Sequence, residues 1–315
     1  MRPFLYSTGP ESGRYLAGGT TLIDLMKLDV ERPGTLIDLK ATPGGKALRG
    51  IEAGSDTIRI GAMVSMAEAA DDPQLKRRVP VLVQSLLLAA SPQIRNMASL
   101  GGNMLQRTRC PYFRDVSWSA CNKREPGSGC AAQQGYNRLH AVLGTSDECV
   151  AAYPGDFAQA LMVLDAEIVT NQRSFPFHSL HKGPDTPHEE TILASGERIE
   201  FISIPPGDYR RSLYLKIRDR KSYAFALASA AVVLDIDQGN IRSSRIALGG
   251  VAYQPWRAAE AERTLNGQPF SEDIVQQAAE AALRDAKPLS HNAFKVPLTK
   301  NVIARALFEA HAMEI

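Results

Sequence analysis

All four cysteines of this 315-residue chain, Cys110, Cys121, Cys130 and Cys149, fall within forty consecutive positions. They lie in a segment, residues 107–150, that is rich in Arg, Gly, Pro and Cys and has no sustained helical or strand period. A run of that length without regular structure, inside a compact domain, is usually functional or held by a metal. Whatever fold forms must therefore carry an irregular, thiol-rich segment between regular stretches.

Four readings of these thiols compete. A disulfide pair needs an oxidising compartment. The amino-terminal MRPFLYSTGPESGRYLAGGTTLIDLMKL has neither a continuous apolar run nor a small-residue cleavage site that would send the chain there by itself. Inert core thiols need apolar neighbours, whereas these stand in Thr108-Arg109-Cys110-Pro111, Ala120-Cys121-Asn122-Lys123-Arg124, Gly129-Cys130 and Glu148-Cys149. Zinc held by four thiolates usually shows Cys-x2-4-Cys pairs, and the spacing C-x10-C-x8-C-x18-C has none. A [4Fe-4S] cluster needs four thiolates and tolerates irregular spacing. Between residues 107 and 125 five basic residues (Arg107, Arg109, Arg114, Lys123, Arg124) face two acids, Asp115 and Glu125. That surplus would offset the charge of four thiolates around iron. Gly127, Gly129 and Gly135 are expected to free backbone N–H groups for cluster sulfurs. The chemistry ranks iron–sulfur above zinc and leaves zinc open.

The rest of the chain reads as ordinary globular protein, with 44% hydrophobic and 22% charged residues and a formal charge of +2. That balance gives no support for a nucleic-acid partner. Apolar runs such as 79–90 and 223–234 are too short or too interrupted to span a bilayer, so no membrane role is expected. The chain is read as soluble, residing in the cytoplasm or carried out of it with a signal-bearing partner. Strands are expected at 14–17, 35–39, 57–62 and 166–170, and helices at 20–28, from Ser65, at 81–90 and at 156–164. Gly101-Gly102 reads as a chain break. After a loop-rich stretch at 176–195 come strands at 199–204, 212–217, 224–236 and 241–251, then helices from Ala258 and Ser271. The expected domains are 1–180, holding two α/β subdomains split near 53 and the insertion 107–150, and a smaller α+β domain at 181–315.

Two paired-glycine loops follow apolar segments: Leu16-Ala17-Gly18-Gly19-Thr20-Thr21, which opens a helix, and Ser99-Leu100-Gly101-Gly102-Asn103. Paired glycines let backbone N–H groups approach a ligand, and a helix start adds partial positive charge suited to a diphosphate. Neither loop is G-x-G-x-x-G or a Walker A motif, so Rossmann and P-loop readings fail. Ala17-Gly18-Gly19-Thr20 with Leu22 and Lys27, and Gln93-Ile94-Arg95-Asn96 followed by Ser99-Leu100-Gly101-Gly102-Asn103, resemble the two FAD loops of molybdenum hydroxylase flavoproteins. That family includes xanthine dehydrogenases, carbon monoxide dehydrogenases and aldehyde oxidoreductases. Ile60-Gly61-Ala62, Gly155-Asp156, Ile199 before Pro205, and Lys216 match in the same order.

The resemblance implies an α+β protein: a two-subdomain FAD-binding domain of the PCMH type followed by a smaller domain of antiparallel sheet and helices. By residue, Ala17, Gly18, Gly19, Thr20, Thr21, Leu22 and Ile23, with Ser99, Leu100, Gly101, Gly102 and Asn103, would hold the FAD diphosphate. Ala89 would lie near the flavin and Asp156 would accept from a ribityl or ribose hydroxyl. Ile199 would offer its backbone at the adenine end, and Lys216 would stand by the isoalloxazine. For Lys216 the plainer alternative is a solvated strand charge, and for Tyr223 a core position is preferred to one by the flavin. The cysteine segment, through Arg107-Thr-Arg-Cys-Pro-Tyr-Phe113 and Cys121-Asn-Lys-Arg-x-Pro-Gly-Ser-Gly-Cys130, resembles the [4Fe-4S]-bearing flavin subunit of periplasmic-type bacterial aldehyde oxidoreductases. This would make Cys110, Cys121, Cys130 and Cys149 the ligands, with Tyr112 and Trp118 shielding the cluster.

The expected role is electron transfer within a heterotrimer. A [2Fe-2S] small subunit and a molybdopterin-binding large subunit would supply electrons, and FAD would pass them to an external acceptor. No catalytic residue is expected in the chain itself. A hydroxybenzoyl-CoA-reductase-like flavin/Fe-S subunit and a non-redox nucleotide-binding module with a zinc-stapled loop are the alternatives. His178, His181 and His188 are read as loop histidines, not a metal site.

Overall fold

A computed structural model describes residues 13–42, 44–54 and 56–314. The reading of the extreme amino terminus as lacking an export signal falls partly on residues 1–12, outside the described residues. The first subdomain is small. Strand β1 (Arg14–Leu16) lies parallel to β2 (Leu36–Asp38), with Arg14 opposite Leu36, and α1 (Leu22–Lys27) connects them. The glycine loop occupies the turn from β1 into α1.

The second subdomain starts with the hairpin β3 (Ile51–Ala53) and β4 (Ile58–Gly61). Five helices follow: α2 (Met66–Asp71), α3 (Pro73–Arg78), α4 (Pro80–Leu87), α5 (Pro92–Met97) and α6 (Leu100–Met104). Local chemistry explains their brevity. A proline opens α3, α4 and α5, a position where its missing N–H costs nothing and where it ends what came before. Helix α2 starts on a reciprocal cap, in which the Glu68 amide donates to Ser65 Oγ and the Ser65 amide donates to Glu68. Gly101-Gly102, expected to break the chain, lies instead in the first turn of α6, because Ser99 Oγ caps the Gly102 amide and makes that turn helical.

After α7 (Pro111–Arg114) and the irregular cysteine segment come α8 (Phe157–Val163), β5 (Glu167–Thr170), β6 (Ser174–Pro176) and β7 (Ile199–Ile204). These strands complete an antiparallel sheet in the order β3-β4-β7-β5-β6. Because β7 is its central strand, the first domain runs on past 180, and the junction falls between Ile204 and Ser212. Loop composition near 176–195 suggested an earlier boundary; the long-range pairing of β7 moves it.

The second domain is a four-stranded antiparallel sheet of β8 (Ser212–Ile217), β9 (Ala228–Asp237), β10 (Asn240–Gly249) and β11 (Trp256–Arg257). It carries α9 (Ala259–Leu265), α10 (Glu272–Ala282) and α11 (Lys295–His311), the last not anticipated as a helix. Strand β9 is apolar on both faces for a reason. Ala231 and Val233 join the core of the first domain, while Ala230, Val232 and Leu234 join the core beneath the helices. The sheet is thus buried from both sides, and the domains share a continuous apolar contact. The strand expected from 224 begins only at Ala228. Tyr223, expected in the core, is 54% exposed and holds a left-handed φ of 51° in the β8–β9 loop. Among the described residues no helix is long and apolar enough to cross a membrane.

Candidate functional site

The two glycine loops meet. A Cβ on Gly18 would lie 1.9 Å from the Met97 carbonyl oxygen, so the first loop rests directly on the backbone that leads into α6. Gly19 holds a φ of 74°, which turns the chain into α1 and suits a residue without a Cβ. The second loop is pinned from below: the Leu100 amide donates to Val64 O and the Gly101 amide to Ala62 O, each at 2.9 Å. A Cβ on Gly101 would come within 3.0 Å of the Ala62 Cβ. Ile199 is buried, and its neighbour Glu200 accepts from the Ala62 amide at 2.8 Å, so the start of β7 abuts the second loop. Gly102 and Ile23 remain exposed, and Thr20, Thr21 and Asn103 are part-exposed. The residues expected at the diphosphate and adenine ends therefore lie along one continuous seam, with backbone and hydroxyl groups open on it. That arrangement fits a dinucleotide held across two loops.

Ala89, Asp156 and Lys216 form a second group. The carbonyl end of α4 is gathered by three cations from elsewhere. Arg95 donates to Ala89 O at 2.8 Å, and Lys216 and Arg218 donate to Leu88 O at 3.1 and 3.0 Å. Lys216 is not a solvated strand charge: its side chain is 1% exposed and its Nζ lies 2.7 Å from Asp156 Oδ2. Tyr214 donates to the other carboxylate oxygen at 2.6 Å. Burial pushes the Asp156 carboxyl up, and Lys216 and Tyr214 oppose it. Both oxygens of Asp156 are thus already engaged by protein donors, so the residue orients Lys216 across the domain junction. Nothing local in the sequence pairs positions 156, 214 and 216; only the closure of β8 over α4 does.

The four thiols line one pocket, with Tyr112 and Phe113 among its walls. Cys121 and Cys130 face each other across a short antiparallel bridge, secured by the Asn122 amide donating to Gly129 O at 2.7 Å. Burial, with a smaller push from the neighbouring sulfurs, raises the Cys110 thiol to about 12 and the Cys149 thiol to about 11. Backbone amides aim at the sulfurs: Tyr112 and Phe113 at Cys110, Ala132, Gln133 and Val150 at Cys130, and Ala151 at Cys149. These donors are not the expected glycines. Gly127 and Gly129 serve positive-φ turns instead, and Gly135 lies against the Tyr112 hydroxyl, where a Cβ would come within 2.2 Å. Tyr112 is buried, with the half-exposed Trp118 ring edge-on at 4.9 Å. Among the described residues no three His, Cys, Asp or Glu side chains converge closely enough to hold a single metal ion.

The basic residues expected to neutralise the thiolates mostly frame the segment. Arg109 and Arg114 bind Asp24 on α1 at 3.1 and 2.9 Å, tying the cysteine segment to the first glycine loop. Arg109 also stacks on Phe225 in the β8–β9 loop, at 4.9 Å. Arg124 donates to the carbonyls of Tyr112, Phe113, Asp115 and Trp118. Lys123 bonds Glu190, Pro187 O and Tyr253, and is the cation that acts on Cys149. His178, His181 and His188 do not come together. His181 bonds Met104 O and packs on Tyr153 and Phe177, while His188 faces Glu189.

Glu190 is shared by Arg107 and Lys123 at 2.7 and 2.6 Å. Burial raises its carboxyl, but these two cations more than offset that and hold it down at about 2. Its stabilisation is complete above the ordinary carboxylate value of 4.5 and is lost as pH falls toward 2. Glu190→Gln is expected to cost about 3 kcal/mol at pH 7 and to flatten this acid limb, both read by urea unfolding. A variant as stable as the parent at pH 7 would show that the network contributes nothing net.

Comparison with known proteins agrees with this architecture. Residues 5–207 match the family described as the FAD binding domain in molybdopterin dehydrogenase, and residues 213–310 match the CO dehydrogenase flavoprotein C-terminal domain. The chain is 42% identical over 305 residues to the aldehyde oxidoreductase FAD-binding subunit PaoB of Escherichia coli (strain K12), covering 95% of this chain and 92% of that one. It is 27% identical to the carbon monoxide dehydrogenase medium chain of Hydrogenophaga pseudoflava, covering 95% and 89% of the two chains. A solved structure of carbon monoxide dehydrogenase from that organism superposes with a TM-score of 0.73 at 26% identity, covering 97% of this chain and 91% of the other. With two family models spanning most of its length, and with its glycine loops and domain junction built as described above, the chain belongs to the FAD-binding subunits of the molybdenum hydroxylase family.

Proposed function

We propose that this chain is the electron-transfer subunit of a molybdenum-containing aldehyde oxidoreductase, carrying FAD along the glycine-loop seam and a [4Fe-4S] cluster in the four-cysteine cavity. The observation that carries the second cofactor is the arrangement of sulfurs around a shared cavity, with backbone amides directed at three of them. Four neighbouring thiols, Cys121 and Cys149 buried and Cys110 and Cys130 part-buried, repel one another once ionised, and a cationic iron core relieves that cost. N–H···S bonds are a known lever on cluster potential. When bound, the cluster and the flavin accept and release electrons; the chain's residues position them and exclude water.

In this reading Cys110, Cys121, Cys130 and Cys149 ligate iron, and Tyr112 and Phe113 wall it off. The Asp24–Arg109–Phe225 contacts brace the cluster segment against both the first glycine loop and the β8–β9 loop. Lys216, oriented by Asp156, supplies positive charge beside α4, where Ala89 is expected to meet the flavin. The name medium chain borne by the carbon monoxide dehydrogenase relative supports a place between a small and a large partner. Here these are proposed to be a [2Fe-2S] subunit and a molybdopterin subunit.

The test is anaerobic purification from an iron-replete host. A yellow-brown protein with one FAD, broad absorption near ~400 nm and about four irons with matching acid-labile sulfide is expected. A protein with flavin and stoichiometric zinc but no sulfide would refute the cluster and leave the flavin assignment standing.

A further inference from the structure

One side chain outside the expected ligand set touches it. His140 is 2% exposed, and its Nε2 lies 3.1 Å from Cys110 Sγ. The ring is held in place by its backbone. The His140 amide donates to Asn137 O at 3.0 Å, and Asn292 Nδ2 donates to the carbonyls of His140 and Ala141 at 3.2 and 3.1 Å. Lys295 Nζ, buried beneath, donates to Leu139 O at 3.1 Å and Gly250 O at 2.6 Å. The second domain thus clamps the turn that carries His140. The other ring nitrogen, Nδ1, is buried with no hydrogen-bond partner among the described residues.

That asymmetry selects a tautomer. A neutral imidazole carries one ring proton and one lone pair. With the proton on Nδ1, a buried N–H is orphaned and a lone pair faces the sulfur, which repels it once the sulfur is a thiolate. With the proton on Nε2, the ring donates to the thiolate and leaves only a lone pair unmatched. Buried N–H groups are rarely left orphaned, whereas acceptors tolerate it more often.

We propose that His140 is a positioning residue for the cluster: its Nε2–H donates to the Cys110 sulfur, adds a side-chain donor to the two backbone amides already there, and raises the cluster's reduction potential. This rests on the reading of the cavity as a [4Fe-4S] site. A donor to a ligand sulfur stabilises the more negative, reduced state of the cluster, and outer-sphere groups of this kind tune metal centres throughout proteins.

The experiment is a redox titration of the as-purified protein, following the reduced cluster by EPR and the flavin by absorbance. His140→Phe keeps ring volume and removes the donor, while His140→Gln keeps an N–H donor. The expected result is full iron and FAD in both variants, with the cluster midpoint moved negative in H140F, largely restored in H140Q, and the flavin midpoint unchanged. In parallel, the parent protein labelled with ¹⁵N-histidine should show a weak nitrogen coupling to the reduced cluster that disappears in H140Q. An unshifted cluster midpoint in H140F overturns the proposal, as does absence of the ¹⁵N coupling in the parent. A strong coupling, or loss of iron from both variants, overturns it in favour of iron ligation by His140. A parent protein without iron would instead refute the cluster reading itself.

Discussion

Cys121→Ser is expected to yield a folded, yellow protein whose iron falls from about four per chain to below about one, while its FAD is retained. Cys121 is buried at the centre of the hairpin that also presents Cys130, and it packs against Leu25 of α1 and Phe113 of α7. A serine hydroxyl fits that space but is a poor ligand for iron, so the change attacks coordination and not packing. The flavin seam should survive because its loops are fastened independently, Gly18 on Met97 and Gly101 on Ala62. Iron and acid-labile sulfide assays beside the flavin spectrum check both halves. Unchanged iron would remove Cys121 from the ligand set.

Gly18→Ala should produce the reciprocal outcome. The added methyl would lie 1.9 Å from the Met97 carbonyl oxygen and 2.8 Å from its carbon, both backbone atoms that cannot rotate away. The loops must separate, and forced overpacking of this kind costs ~1–3 kcal/mol, which lowers FAD affinity by roughly fivefold to 150-fold. Iron content should stay at the parental level. Titration of flavin-stripped protein with FAD measures the effect; parental affinity would show that contact between the two loops does not hold the cofactor. Together the two variants separate the cofactors by residue.

Much of the fold was legible because it is written in local rules. The alternation of β4, the capped start of α2 at Ser65 and the apolar run of α4 are short-range features, and the structure places those elements close to where the sequence puts them, whereas α3 and α5, each opened by a proline, were not anticipated. Short helices in loops were harder to read. Helices α6 and α7 have no room for an amphipathic period, and α6 begins with paired glycines that ordinarily argue against a helix. Tyr223 was misplaced for a similar reason: its apolar neighbours suggested strand, but the β8–β9 loop turns there through positive φ and exposes the ring.

The candidate site divides in the same way. The identity of the glycine loops and the crowding of four cysteines are properties of the sequence alone, because glycine and cysteine have chemistry that other residues cannot imitate. By itself the sequence therefore determined the family, the mixed helix-and-sheet class and the presence of one thiol-rich segment inside a flavin domain. Only the tertiary structure decided what those groups face. It gathered Cys110 and Cys149, far apart in the chain, onto one cavity with Cys121 and Cys130. It buried Lys216 against Asp156, spent the arginines on bracing carboxylates and carbonyls, and set His140 on Cys110. Each of these depends on contacts between residues distant in sequence, which no local pattern encodes: the packing of β8 over α4 seats Lys216, and Asn292 and Lys295 hold the turn that carries His140.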